Sequence, residues 1–270
     1  MKLGIGTYTY MWSIGFPGVE PTHPLDALGL LEKARSLGVR AVQFGPNLPL
    51  SGLSPRDLGA VLERARAWGM EIEIGTRGLE TDHLRSELEL AREAGSTLLR
   101  TVPELENGRT ATVPEVCDRL RAIAPDLEKA QVRLALENGK IPARELSDAL
   151  SSLQSPLVGI TLDTVNSLAI PEGTEHVVRT LARHALCFHV KDFVVERAWH
   201  MMGFVVEGRP AGKGQMNFPW ILEQLRAAGS SPNAILELWP PPQANLGATT
   251  ALEQAWAQES IRWLRQYILE

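Results

Sequence analysis

Gly159-Ile-Thr-Leu-Asp163-Thr-Val-Asn166 is an apolar, β-branched run that stops at a carboxylate and then turns polar. Such a run reads as a buried parallel strand that delivers Asp163 to its C-terminal edge. Three other runs end the same way. Val132-Arg-Leu-Ala-Leu-Glu137-Asn138 stops at a glutamate, Leu186-Cys-Phe-His189-Val-Lys191-Asp192 at a histidine, and Ala234-Ile-Leu-Glu237-Leu-Trp239 at a second glutamate. One carboxylate at a strand end caps a helix or joins a surface ion pair as readily as it binds a ligand. Four residues of metal-ligand type in succession, roughly a βα unit apart, would form a hard-cation site if the strands meet at one end of a barrel.

On either side of these runs the chain alternates strand and helix. Lys2 to Tyr8 predicts a first strand, followed by a loop holding Tyr8, Tyr10, Trp12, Phe16 and Pro17 that either covers a pocket or plugs the barrel mouth. Pro24 to Leu37 has helical apolar spacing and ends at Gly38, and Val39 to Phe44 gives strand two. Ser54-Pro55 opens a helix to Trp68, Met70 to Gly75 is strand three, Thr81 to Ala94 a helix, and Thr97 to Thr101 strand four. Helices are expected at Val113 to Ala130, Pro142 to Leu153, Glu175 to His184 and Phe218 to Ala228. Between them, strand five runs from Val132 to Glu137, strand six from Leu157 to Asp163 and strand seven from Leu186 to Val190. Ala234 to Leu238 is strand eight, and Leu252 to Leu269 a closing amphipathic helix. The α/β pattern, without a linker-like shift in composition, predicts a single (β/α)8 TIM barrel spanning residues 1–270 as one domain.

Several side chains stand apart from this regular pattern. Glu71 and Glu73 share one face in mid-strand, which predicts a polar layer rather than a ligand pair. Arg100, near the end of strand four, suits either substrate contact or a structural ion pair. Lys191 follows His189 by two, so it should project from the same face, toward a substrate oxygen or a neighbouring carboxylate. Asp192 to Asn217 is the longest irregular segment and carries His200 and Arg209. Its glycines at 203, 208, 212 and 214 predict a hinged lid. The apolar centre Met201 to Val206 suits a homodimer contact equally well. Gly208 to Gly214 lacks the residue order of a phosphate loop.

At 270 residues and 44% hydrophobic, the chain is long enough for one large barrel core. A net charge of -5 and a pI near 5.8 argue against a nucleic-acid face, which needs clustered Lys and Arg. Two cysteines, one inside an apolar strand, do not make a disulfide framework and point to a reducing compartment. No signal-peptide core precedes the first strand pattern, and no apolar run approaches the ~18 residues of a membrane span. A cytoplasmic protein is the expectation.

Leu134-Ala-Leu-Glu-Asn138, Gly159 to Ser167, Phe188-His-Val-Lys-Asp192, Gly208-Arg-Pro-Ala-Gly-Lys-Gly214 and Ile235-Leu-Glu237 together resemble the xylose-isomerase-like TIM-barrel superfamily. They are most similar to its sugar phosphate isomerase/epimerase branch. The resemblance spans essentially the whole chain and is most specific from strand five onward. It implies one divalent cation held by Glu137, Asp163, His189 and Glu237, with the two glutamates also serving as acid and base. Family members often carry His directly after the Glu-Asn of strand five, or three residues after the Asp of strand six. Here those positions are Gly139 and Asn166.

The chemistry expected of such a site is proton removal beside a carbonyl, giving an enediolate whose charge a chelating divalent cation stabilises. Glu137 and Glu237 would flank the bound carbon and pass protons for isomerisation or epimerisation. The same intermediate expelling a hydroxyl would make a dehydratase, the second reading. The chain offers no second ligand set for a two-metal hydride-shift isomerase, and it lacks the further histidines and basic groove that the resemblance implies for a DNA-repair endonuclease on this barrel; an intact quartet disfavours a non-catalytic sugar-binding barrel. Mn, Co, Mg or Zn would each suit three carboxylates and an imidazole. A small carbohydrate is the expected substrate, with Lys191, Asn138, Asn166, Arg209, His200, Tyr8 and Arg100 as candidate contacts.

Overall fold

The computed structural model describes residues 1–269 and contains a closed parallel barrel. In chain order the strands are β1 (Leu3–Gly6), β2 (Ala41–Phe44), β3 (Glu71–Gly75), β4 (Leu98–Thr101), β5 (Arg133–Glu137), β6 (Val158–Asp163), β7 (Ala185–Val190), β8 (Asp192–Arg197), β9 (Phe204–Arg209) and β10 (Asn233–Leu236). The helices are α1 (Met11–Ile14), α2 (Ala27–Leu37), α3 (Pro55–Ala67), α4 (Thr81–Ala94), α5 (Val113–Ala130), α6 (Ala143–Leu153), α7 (Thr174–Leu181), α8 (Phe218–Ala227) and α9 (Leu246–Leu264). The barrel order is β1-β10-β7-β6-β5-β4-β3-β2, closed between β1 and β2, while β8 and β9 form a separate antiparallel hairpin. With helices between its strands this is a (β/α)8 TIM barrel, as expected. Among the described residues, no helix is long and apolar enough to cross a membrane.

Register aims the site residues. Glu137 pairs with Thr161, Asp163 with His189, and His189 with Ile235. Paired residues of a parallel sheet point the same way, and every second residue points into the barrel. Glu137, Asp163, His189 and Glu237 therefore share the interior face at the C-terminal mouth. Below them lies a small apolar layer of Ala41, Leu98, Ala135, Cys187 and Ile235, separate from the larger core between strands and helices. A polar layer shares that interior. Glu73 accepts from Gln43 Nε2 at 2.9 Å and Asn233 Nδ2 at 2.9 Å, and burial pushes its carboxyl up. Both cysteines are free and buried.

Four expectations need correction. The Asp192 to Asn217 segment is not irregular, because two β-branched runs pair as the β8–β9 hairpin. Its return to the barrel is tied down: buried Asp192 accepts from the backbone N–H of Phe193, Gly212, Gly214 and Met216. Gly212 and Gly214 serve close packing, since a Cβ would lie 2.3 Å from Trp263 or 2.2 Å from Asp192 Oδ1. The closing helix starts at Leu246 rather than Leu252, because the Asn245 side chain caps it by accepting from Ala248 N–H, and it ends at Leu264. The first strand stops at Gly6, and the chain coils at once into a turn and α1. The helix expected at Glu175 to His184 leaves α geometry at Leu181 for a tighter turn over Ala182–His184.

Candidate metal centre and cavity

His189 is fully buried with its Nε2 2.8 Å from Gln43 Oε1. The amide oxygen can only accept, so Nε2 carries the proton and Nδ1 is left with its lone pair. That Nδ1 points into three carboxylates: 3.3 Å from Glu237 Oε1, 3.6 Å from Glu137 Oε2 and 3.7 Å from Asp163 Oδ2. Ligand atoms of Glu137, Asp163 and His189 all lie within 4.8 Å of one another. Glu237 sits at the edge of this group, its Oε2 2.7 Å from Lys191 Nζ.

The polar accounting fits a cation. Asp163 Oδ1 accepts from the N–H groups of Val165 and Asn166, each at 2.8 Å, which fixes the carboxylate. Asp163 Oδ2 and His189 Nδ1, by contrast, are buried without a hydrogen-bond partner. Lys191 Nζ lies 2.7 Å from Asp163 Oδ2, an ion-pair contact without hydrogen-bond alignment. Two orphaned donor atoms in a hard oxygen-and-imidazole set are what a divalent cation would satisfy.

Electrostatics tie the cluster together. Burial would raise the Asp163 carboxyl, but the Lys191 charge, joined by His189 when its ring is protonated, overrides it and holds it well below the usual range. Glu237 is lowered in the same way, burial being outweighed by His189 and Lys191. Burial opposes protonation of His189 and Lys191, yet the surrounding carboxylates raise both. Glu137 is held differently. Arg100 Nε and Nη2 both donate to its Oε2, while Asn166 Nδ2 donates to Oε1 at 2.5 Å.

A cavity of about 670 Å³ opens above the cluster. Tyr8, Arg100, Glu137, Asn138, Asn166, Lys191 and Glu237 all line it. Asn138 spends its polar atoms on structure, donating to Asp163 O and Ser167 Oγ and accepting from Asp163 N–H. His200 and Arg209 are not in the lining: His200 is exposed at the hairpin tip, and Arg209 turns back on Glu207 and the Gly208 carbonyl. Gly139 has φ +108, and a Cβ there would lie 2.5 Å from Asn166 Cβ, so the β5–α6 loop wraps too tightly for any other residue. Arg77 and Lys140 also line the cavity, and so does Val206 of β9. Nothing in the sequence marked Arg77, Lys140 or Gln43, because each is an ordinary residue until the fold places it, and Val206 was marked only as part of an apolar contact surface.

Barrel and site together define a (β/α)8 enzyme scaffold with a candidate cation centre at its mouth. The chain belongs to the xylose isomerase-like TIM barrel family, whose model matches residues 13–267. It is 30% identical over 265 residues to the 3-oxo-isoapionate decarboxylase of Pectobacterium atrosepticum, covering 98% of this chain and 95% of that one. Among solved structures, D-psicose 3-epimerase with D-tagatose from Clostridium cellulolyticum H10 superposes with a TM-score of 0.74 at 16% identity, covering 100% of both chains. A xylose isomerase-like TIM barrel protein from Mycobacterium smegmatis in complex with magnesium gives 0.70 at 13% identity, covering 97% of each. The structural likenesses show the fold; family and relatives place the chain among sugar-processing enzymes.

Proposed function

We propose that this protein is a divalent-metal-dependent decarboxylase of a 3-oxo sugar acid, working through an enediolate. The observation that carries the reaction type is the Arg100–Glu137 pair. An epimerase of the expected kind needs two carboxylates free to take and return protons. Glu137 has one oxygen in the fork of a guanidinium and the other on Asn166 Nδ2, contacts that hold its carboxylate in place and suit a fixed cation ligand better than a base that must move to a carbon-bound proton. Decarboxylation needs no base. The C–C bond to the carboxylate breaks, its electron pair passes to the 3-oxo oxygen, and one proton is added afterwards to the carbon that lost CO2. The 30% identical relative, a decarboxylase aligned over nearly its full length, supports the same choice.

Glu137, Asp163, His189 and Glu237 would hold the cation. When bound there, it supplies Lewis-acid stabilisation of the charge that develops on the oxo oxygen. The chain's own groups do the rest. Arg100 and Asn166 fix Glu137; Lys191 bridges Asp163 and Glu237, donates to Asn166 Oδ1 at 3.3 Å and lines the cavity. Tyr8, whose phenol is kept protonated chiefly by burial, is a second proton donor in the wall. Isomerisation or epimerisation of a neutral keto-sugar through the same enediolate is the alternative, favoured by Glu237, which makes no contact with the Arg100 guanidinium fork that holds Glu137.

The test is product analysis in D2O with Mg2+-loaded protein. A 3-oxo sugar acid should release CO2 and yield product with one deuterium at the carbon that lost it. D-fructose, D-psicose and inososes should stay unlabelled. Deuterium exchange into those neutral ketoses, with no CO2 released from the acid, would replace this reading with the epimerase one.

A further inference from the structure

At the cavity rim, the loops after three neighbouring strands bring a cation, a carboxylate and a second cation side by side. Arg77 follows β3, Glu104 follows β4 and Lys140 follows β5. Glu104 is only 4% exposed, and its two oxygens are divided between the cations: Oε2 lies 2.8 Å from Arg77 Nη1 and Oε1 3.0 Å from Lys140 Nζ. The carboxylate is itself fixed through its backbone, whose N–H donates to Val102 O and whose carbonyl accepts from Leu79 N–H. Its pKa lies below the usual range: burial works against ionisation, but the two cations outweigh it.

Arg77 and Lys140 each spend one donor on Glu104 and remain about half-exposed, 55% and 42%, while lining the cavity. Two cations share one carboxylate, so the Arg77–Glu104–Lys140 cluster itself carries one excess positive charge. Of the rim cations, Arg77 bears on Tyr8 across the cavity, lowering a phenol that burial above all, and Glu237, raise. The deeper end of the same cavity carries the Glu137, Asp163 and Glu237 carboxylates. The cavity is therefore polarised, negative at its floor before any cation binds and positive at one edge.

From this we infer that Arg77 and Lys140, held apart and aimed by Glu104, form a carboxylate-binding subsite that selects sugar acids over neutral sugars. The inference deepens the sugar-acid reading above and rests on it for the identity of the substrate. Its physical sense is orientation. A sugar acid offers a metal two chelating ends, the carboxylate with its neighbouring hydroxyl and the oxo group with its own. Cations at the rim compete for the carboxylate, and the floor carboxylates repel it, so the oxo end is the one directed to the cation centre. A bidentate guanidinium beside a mobile ammonium suits a planar carboxylate.

D-erythronate and erythritol separate subsite from reaction, because neither contains an oxo group and neither can be decarboxylated. Calorimetric titration of the Mg2+-loaded protein should show binding of erythronate in preference to erythritol, with the preference shrinking as ionic strength rises. Arg77→Gln and Lys140→Gln each leave Glu104 one cation and an amide donor, so both variants should fold and keep the wild-type Mg2+ affinity. Each should weaken erythronate about tenfold, the worth of one charge-assisted contact, and leave erythritol unchanged. Unchanged erythronate affinity in both variants, equal losses for the two ligands, or a wild type that binds neither would overturn the subsite. If erythronate is held through Arg77 and Lys140 while the D2O experiment shows exchange into neutral ketoses, the decarboxylase reading falls and the subsite stands.

Discussion

Gln43 is the residue whose contribution is largest for its plainness. Its amide oxygen takes the His189 Nε2 proton, and its Nε2 donates to Glu73 at 2.9 Å, so a buried carboxylate two contacts away fixes which imidazole nitrogen faces the cluster. Gln43→Leu removes that constraint without touching a ligand and should weaken Mn2+ binding by about 10–100-fold in calorimetry; an unchanged affinity would mean the tautomer is set elsewhere. Lys191 makes a second prediction. Its ammonium lies 2.7 Å from both Asp163 and Glu237 and serves as the positive charge among these carboxylates. Lys191→Met should cost on the order of 3 kcal/mol in urea unfolding with chelator present. Most of that loss should disappear when Mg2+ is added, whereas an equal loss in both conditions would assign Lys191 a purely structural packing role. Glu137, Asp163, His189 and Glu237 were legible in the sequence because each ends an apolar run, a signal that needs no fold to read. Gln43, Arg77, Glu104 and Lys140 were not, since a polar residue inside or just after a strand acquires meaning only from the strand beside it.

Among the elements, the β8–β9 hairpin departs furthest from what the chain suggests. Phe193 to Val195 and Phe204 to Val206 are β-formers in the two strands, which pair from Phe193 with Gly208 near the base to Arg197 with Phe204 at the tip, but the glycine-rich return from Gly208 to Gly214 dominated the pattern and read as a loop. The glycines are there for contact rather than hinging: Gly208 packs on Trp239, Gly212 on Trp263 and Gly214 on Asp192. Asp192, with four backbone N–H groups on its carboxylate, latches both ends of the excursion together. The base of the hairpin should therefore resist trypsin at Arg209 in the wild type, and Asp192→Ala should accelerate cleavage there while the barrel stays folded. Equal cleavage rates in the two proteins would restore the hinged-lid expectation. The tip is different, with Trp199 93% and Met202 87% exposed beside Phe204. That apolar surface keeps a contact between copies of the chain as a proposal, and Val206 links the same strand to the cavity wall.

Across the whole molecule, the alternation of strands and helices was readable because parallel strands are nearly continuous apolar runs and the helices keep their spacing and caps. What could not be read was how the two ends of the chain are joined. The short α1 begins with Trp12 and Ser13 N–H groups that have no local acceptor; Glu253 of α9 supplies one, accepting from Trp12 N–H at 2.8 Å, Ser13 N–H at 3.1 Å and Ser13 Oγ at 2.6 Å. Tyr10 is fully buried beside it, with its hydroxyl 3.2 Å from Gln254. Glu253 is itself fully buried, and burial pushes its carboxyl up to about 7 against the pull of those hydrogen bonds and Lys33. In the unfolded chain the same group titrates near 4.3. Between those values the folded protein holds a proton that the unfolded chain has released, so stability falls as pH rises through the window. Below the unfolded pKa both states are protonated, above about 7 both are ionised, and the curve is flat on either side. The full swing from this one group is on the order of 3 kcal/mol. Glu253→Gln keeps the shape of the side chain and one carbonyl acceptor while removing the titration. Its thermal midpoint should be flatter than that of the wild type between about pH 4.5 and 7, with the two curves running parallel above that window. The same slope in both proteins would show that Glu253 titrates normally and that the junction between the first turn and the last helix holds its charge without cost.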